Sequence, residues 1–295
     1  MIAFGSAIVD PEAYRRFAGP GIRRAAEPDS VVHAFAAVGN TCRGYNLLLD
    51  TAAGHDDLEA LVLVDPRAEL AGPGFCAAVR EALRDPDVAV AGPAGARNVQ
   101  TIAWWEGEVS SAPIAHRYYE YGGGEMAGYA WAGPVAPLGE VDSVDGLLLV
   151  LSPWAVRTIR FDESLVMGHG YDLDYCLQVR EAGRKVVTAD LRVTHHRTLE
   201  LLPEPDVWVE GHIKLADKWD GRWPGRSGEP VDWKARARRA EAEREAARTV
   251  AYSSTLRVDA EVLALERAMA EMTESLSWRV TAPLRGLNRL RRRAS

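Results

Sequence analysis

The stretch HGYDLDYCLQVREAGRK, residues 169–185, sets two carboxylates two positions apart, Asp172 and Asp174, where an irregular segment turns into a helical pattern. Such groups can serve as the acidic residues of an active site, and they equally make a good helix start. Leu173, Cys176, Leu177 and Arg180 fall at i, i+3, i+4 and i+7, and Gly183 is a suitable stop, so the spacing predicts a helix of about three turns. In that helix Asp172 caps the N-terminus and Asp174 meets the macrodipole, together contributing about 1–2 kcal/mol. Other titratable groups lie near in pattern. Asp142 and Asp145 in VDSVDG precede an apolar run, Asp162 and Glu163 follow in FDE, and His195-His196 end a later run. Their convergence on two strands and a helix favours a site over a set of unrelated caps and core histidines.

The elements that must hold these groups alternate. IAFGSAIV, VVHAFAAV, ALVLVD and VAVAGP are strand-like, and PEAYRRFAGPGIRRAAE, the segment around Tyr45-Asn46 and FCAAVREAL are helix-like. This rhythm predicts an α/β fold with a mostly parallel sheet flanked by helices. Ligands then bind beyond the carboxyl ends of the strands, which singles out Asp10, Gly39-Asn40, Asp65 and Gly92. Residues 95–140, rich in glycine and aromatics, read as a functional loop or irregular ribbon. GLLLVLSPWAV reads as a buried strand, and KVVTADLRV as one or two more. Trp208, His212, Leu215 and Trp219 suggest an amphipathic helix that closes the domain. The boundaries expected are a domain over 1–221, a linker over 222–230 in RWPGRSGEP, and an exposed helical extension over 231–295.

Composition excludes several classes. With 295 residues, 47% of them hydrophobic, the chain can bury a large core, and a net charge of -7 argues against a nucleic-acid-binding surface. Cys42, Cys76 and Cys176 are odd in number and lack any C-x-x-C, which fits reduced thiols in a cytoplasmic protein. GLLLVL at 146–151 is too short to span a bilayer, and IAFGSAIV lacks the basic start of a signal peptide. YGGGEMAGY matches neither the dinucleotide nor the P-loop fingerprint, and no nucleophile elbow is present.

The order of a strand ending in an acidic motif, a later V-D-G strand, F-D-E, a G-x-D-x-D helix with C-L-x-x-R-x-x-G, and a strand ending V-x-H-H resembles the inverting family-two glycosyltransferases of GT-A fold. More narrowly it is similar to the branch typified by a streptomycin-biosynthesis protein. The resemblance covers about residues 1–220 and is most specific over 142–196. It implies transfer of a sugar from a nucleotide-sugar donor to a hydroxyl-bearing acceptor, which is a glycan, a lipid-linked molecule or a small molecule in polysaccharide or glycoconjugate synthesis. Asp172 or Asp174 would take the acceptor proton as the hydroxyl attacks the anomeric carbon. Asp145 and Gly146 would line the donor sugar, and Asn40 the nucleotide pocket, although Asn40 also reads as a helix cap and Tyr45 as a core residue.

The resemblance further implies Mg²⁺ or Mn²⁺ on the leaving diphosphate, with Asp65 and His195 as ligands. Here the acidic motif departs from the branch. LVLVDPRAEL places Arg67 where a second carboxylate would stand, so either Arg67 binds the diphosphate or the site is a silent nucleotide-sugar-binding or scaffold domain. At the end of the chain, SWRVTAPLRGLNRLRRRAS carries five arginines between Arg285 and Arg293. They suggest peripheral contact with anionic lipid, and the long helix before them suggests a homodimer.

Overall fold

The run Ile2–Ile8 forms β1 and is buried along almost all its length, as a strand covered by helices on both faces must be. In this computed structural model residues 1–36, 39–118, 125–127, 136–165, 170–197, 205–224 and 232–281 are described. The further strands are Val31–Ala36 (β2), Ala60–Val64 (β3), Ala68–Leu70 (β4), Val88–Gly92 (β5), Ala94–Arg97 (β6) and Glu108–Ser111 (β7). Ile114–Tyr118 (β8), Glu125–Ala127 (β9), Glu140–Val141 (β10), Ser143–Val144 (β11), Leu148–Leu151 (β12), Lys185–Thr188 (β13) and Val193–Arg197 (β14) follow.

Seven strands make the central sheet in the order β10-β13-β5-β12-β3-β1-β2. The pairs β2/β1, β1/β3 and β5/β13 are parallel, whereas β12 is antiparallel to both β3 and β5, and β10 is antiparallel to β13. The expected mostly parallel α/β sheet is present, with β12 and β10 reversed. That reversal matters to the site. Because β12 runs against β3, the loop leading into β12 arrives at the sheet edge where β3 leaves it.

Helical segments close the crossovers. Pro11–Ala13 (α1), a π-helical turn Tyr14–Ala18 and Gly19–Ala25 (α2) connect β1 to β2; Thr41–Ala53 (α3) connects β2 to β3; and Phe75–Ala82 (α4) leads into β5. Pro153–Thr158 (α5) follows β12, Tyr171–Glu181 (α6) precedes β13, and Pro205–Lys218 (α7) follows β14. Asp10 and Ser152 cap α1 and α5 with a proline at the next position, where its fixed φ suits the first turn and its missing N–H costs nothing. One apolar core runs through Phe4, Leu48, Leu61, Leu63, Val150, Tyr175 and Trp219.

Two small sheets accompany this frame, β11-β6-β7 and β4-β14-β8-β9. They correct the expectation of a long irregular segment over 95–140. Its described part pairs β6 with β7 and β8 with both β9 and β14. Residues 119–124 and 128–135 lie outside the described set.

The chain divides into two compact units, Met1–Gly228 and Glu229–Ser295. The second holds a helix of 42 residues, Trp233–Glu274 (α8), capped by Asp232, and the short Leu276–Val280 (α9), capped by Ser275. The described part of this unit is thus largely one continuous helix. No described helix is long and apolar enough to cross a membrane. The arginine-rich residues 282–295 lie outside the described set.

Candidate active site

Asp65 follows β3 directly, and its backbone N–H donates to the carbonyl of Leu147 at 3.1 Å, which stitches the exit of β3 to the loop ahead of β12. Within that loop Asp145 accepts the N–H of Leu147 through Oδ1 at 2.8 Å, and its own N–H donates to Ala94 at 2.9 Å. The Gly146 N–H donates to Asp172 Oδ2 at 2.8 Å, while the Tyr171 hydroxyl donates to the Gly146 carbonyl at 3.1 Å. Both sides of one peptide segment are therefore held by the first two residues of α6. A Cβ on Gly146 would stand 2.5 Å from the Tyr171 oxygen, so only glycine fits this approach. Tyr45 backs the arrangement with its ring 5.4 Å from that of Tyr171, edge to face.

The electrostatics follow from this crowding. Burial, reinforced by the Asp145 charge, lifts Asp172 from 3.8 to about 6, against the opposing pull of the Leu173 and Gly146 N–H groups. Burial likewise lifts Asp65 to about 6, with Asp145 and Asp10 adding to it and the Arg67 N–H and guanidinium opposing. Two carboxyl groups at the mouth of the sheet thus titrate near neutrality. A carboxylate in that range can accept a proton and later release it.

The structure separates Asp172 from Asp174. Asp174 is fully buried and accepts hydrogen bonds from Trp219 Nε1 at 2.8 Å and Gln178 Nε2 at 2.8 Å, and it pairs with Lys218 Nζ at 2.8 Å. Its oxygens anchor α7 and the turn after it to α6. Gly170, in the left-handed region at φ 72°, caps α6, so Asp172 stands inside the first turn and not at the cap expected from sequence. Glycine can take that conformation without strain.

Several other acidic candidates are also committed elsewhere. Asp142 accepts the Val99 N–H at 3.1 Å and pairs with Arg180 at 3.2 Å. Asp162 bonds Lys218 at 2.7 Å; burial works to raise it, and the Lys218 and Ser164 donors prevail, holding it at about 2. Glu163 accepts from Asn46 at 3.0 Å, and Asn46 also clamps the Phe161 backbone. Asn40 caps α3 by accepting the Arg43 N–H at 2.8 Å, and Tyr45 is buried. For these two the capping and core alternatives describe what is present.

Beyond Asp65 the chain turns into β4, whose neighbour β14 carries His195 opposite Ala68. Arg67 pairs through Nη2 with Asp10 Oδ2 at 3.2 Å. His195 is in register with His116 of β8, with ring centroids 5.4 Å apart. Burial, then Arg197, His116 and Arg67, push His195 well below the ordinary imidazole range; burial and Arg197 lower His116, against Asp145. His116 and Arg197 were not singled out from sequence. The signal was there, since Ile114, His116 and Tyr118 alternate onto one strand face.

Among the described residues no three His, Cys, Asp or Glu side chains assemble into a group that could hold a metal ion. The expected pair does not supply one. Asp65 bonds the Arg67 N–H, and His195 is surrounded by Arg67, Arg197 and His116, charges and donors that disfavour a dication. Asp65 and His195 alone therefore make a poor ligand set for Mg²⁺ or Mn²⁺, which take mainly oxygen ligands.

No protein-family profile and no curated protein sequence matches the chain. Solved structures are similar to it, and two of them are GalNAc-T7 and A197 from STIV. GalNAc-T7, crystallised with UDP, GalNAc and Mn²⁺, shares 9% identity at a TM-score of 0.48 over 75% of this chain, which spans about half of that one, 48%. A197 from STIV shares 13% identity at a TM-score of 0.40 over 66% of this chain and 84% of its own.

Proposed function

We propose that the chain is a glycosyltransferase of GT-A type that moves a sugar from a nucleotide-sugar donor to a hydroxyl acceptor with inversion, in glycan or glycoconjugate synthesis. One observation carries the proposal. Asp172, raised to about 6, is fixed by the Gly146 N–H at the edge where β3 delivers Asp65 and the loop before β12 delivers Asp145. An acceptor hydroxyl is a poor nucleophile until a base takes its proton. Asp172 fills that role, and Asp174, paired with Lys218 and bonded to Trp219 and Gln178, holds the helix that presents it.

Asp145 and Gly146 line the donor sugar in this reading, and Asp65 and Arg67 face the diphosphate. The acceptor hydroxyl attacks from the side of α6 as Asp172 takes its proton, and the leaving diphosphate departs towards β4 and β14. A single displacement then inverts the anomeric centre.

Calorimetry of the full chain against a panel of nucleotide sugars, joined to an assay for released nucleoside diphosphate, tests the proposal. Binding of one donor with turnover in the presence of an acceptor is expected. Binding without turnover under any acceptor would favour a silent donor-binding domain, a reading motivated by Arg67 at the place of a second carboxylate.

A further inference from the structure

We infer that Arg67, Arg197, His116 and His195 form a metal-independent binding site for the diphosphate of the donor, an inference that rests on the transferase reading above. The two faces of β14 make the first argument. Side chains two apart share a strand face, so His195 and Arg197 point one way and His196 the other. His196 is stacked on Phe17 at 3.7 Å and bonded to Glu69 Oε2 at 2.8 Å, with Arg24 closing the same carboxylate at 2.8 Å. That face is a compensated piece of the core. On the opposite face His195 meets His116 at 5.4 Å, and Tyr118 continues the same row of β8 against His116 at 6.4 Å.

Topology supplies the second argument. The His196 N–H donates to the Arg67 carbonyl at 3.0 Å, so the cationic face of β14 abuts the turn that carries Asp65 and Arg67 out of the central sheet. Arg67 is oriented there by Asp10 through Nη2, and among the described residues its Nε and Nη1 make no hydrogen bond. Arg197 likewise makes no hydrogen bond or ion pair with the described residues. Two guanidinium groups, two imidazoles and one tyrosine lie where the leaving group of the proposed reaction would depart. Guanidinium donors match phosphate oxygens in pairs, and their charge offsets that of a diphosphate without an intervening cation.

The carboxylates that border this face leave Arg197 without an ion pair among the described residues. Asp10 is paired with Arg67, Asp65 accepts the Arg67 N–H at 2.8 Å, and Asp145 accepts the Leu147 N–H at 2.8 Å and bears on His116. Asp145 and Asp172 stand on the sugar side, and Arg67 and Arg197 on the phosphate side. A charge gradient of this kind orients a donor that is neutral at one end and anionic at the other.

The test is calorimetric binding of inorganic pyrophosphate and of a panel of nucleoside diphosphates to the full chain, with EDTA and separately with Mn²⁺. Binding in EDTA is expected, with at least a tenfold loss for Arg67→Gln and for Arg197→Gln and partial recovery for the lysine variants. Circular dichroism melting shows whether each variant is folded, and the lysine pair carries the comparison if a glutamine variant is not. Pyrophosphate binding that appears only with Mn²⁺ overturns the inference and leaves the transferase reading standing. Unchanged affinity in both folded arginine variants, or no binding under either condition, also overturns it. Binding in EDTA without turnover of any nucleotide sugar supports the anion site and counts against the transferase.

Discussion

Asp172 answers to two opposing demands. The folded chain keeps its proton up to about pH 6, whereas an unfolded aspartate releases it near 3.8, so above that window the group weighs against folding and below it does not. Asp172→Asn is therefore expected to raise stability at pH 7.5 by about 1–2 kcal/mol, a gain that shrinks as the pH falls from 6 to 4. Urea titrations at the two ends of that range measure it. The same change removes the base, and a loss of about 100-fold or more in kcat is expected. For the intact protein kcat/KM should fall on the acid side of about pH 6 as Asp172 takes up its proton. Asp174 behaves oppositely. Asp174→Ala strands the Trp219 N–H and leaves Lys218 to Asp162 alone, and should cost about 2–4 kcal/mol in a denaturant titration.

At the scale of elements, α6 is tied to the loop before β12 by its first turn and to α7 by Asp174. Gly146→Ala pushes a methyl group into Tyr171. It should lower donor affinity by about tenfold, roughly 1.4 kcal/mol, while melting shows the fold intact. These ties explain what the sequence made legible. The runs of β1, β3, β5 and β12 declared themselves because strands buried on both faces are apolar throughout. The direction of β12 did not, since an apolar run reads alike either way, and it is the direction that brings Asp145 beside Asp65. Asp172 and Asp174 looked equivalent because the partners that separate them, Lys218 and Trp219, stand more than forty residues further on. His116 was hidden in a segment whose glycines and aromatics suggested irregular chain, while its strand pairing is long-range.

At the scale of the molecule, α8 adds a second feature. Val258, Val262, Leu265, Met269 and Met272 repeat at alternating spacings of four and three and are all exposed. Between 234 and 250 six basic residues stand against three acidic, and between 251 and 274 two basic against five acidic. An antiparallel second copy would set these halves against each other. Sedimentation of the full chain is expected to show a dimer that Leu265→Asp with Met269→Asp converts to monomer; a monomer at every concentration would contradict this. The transferase account stands or falls on something nearer the sheet. The most direct measurement is the rate of sugar transfer by the intact chain and by folded Asp172→Asn, with the donor that binds and a hydroxyl acceptor at pH 7.5. The account predicts measurable transfer by the former and at least a 100-fold loss in the latter with donor affinity kept. Equal rates for the two proteins would contradict it.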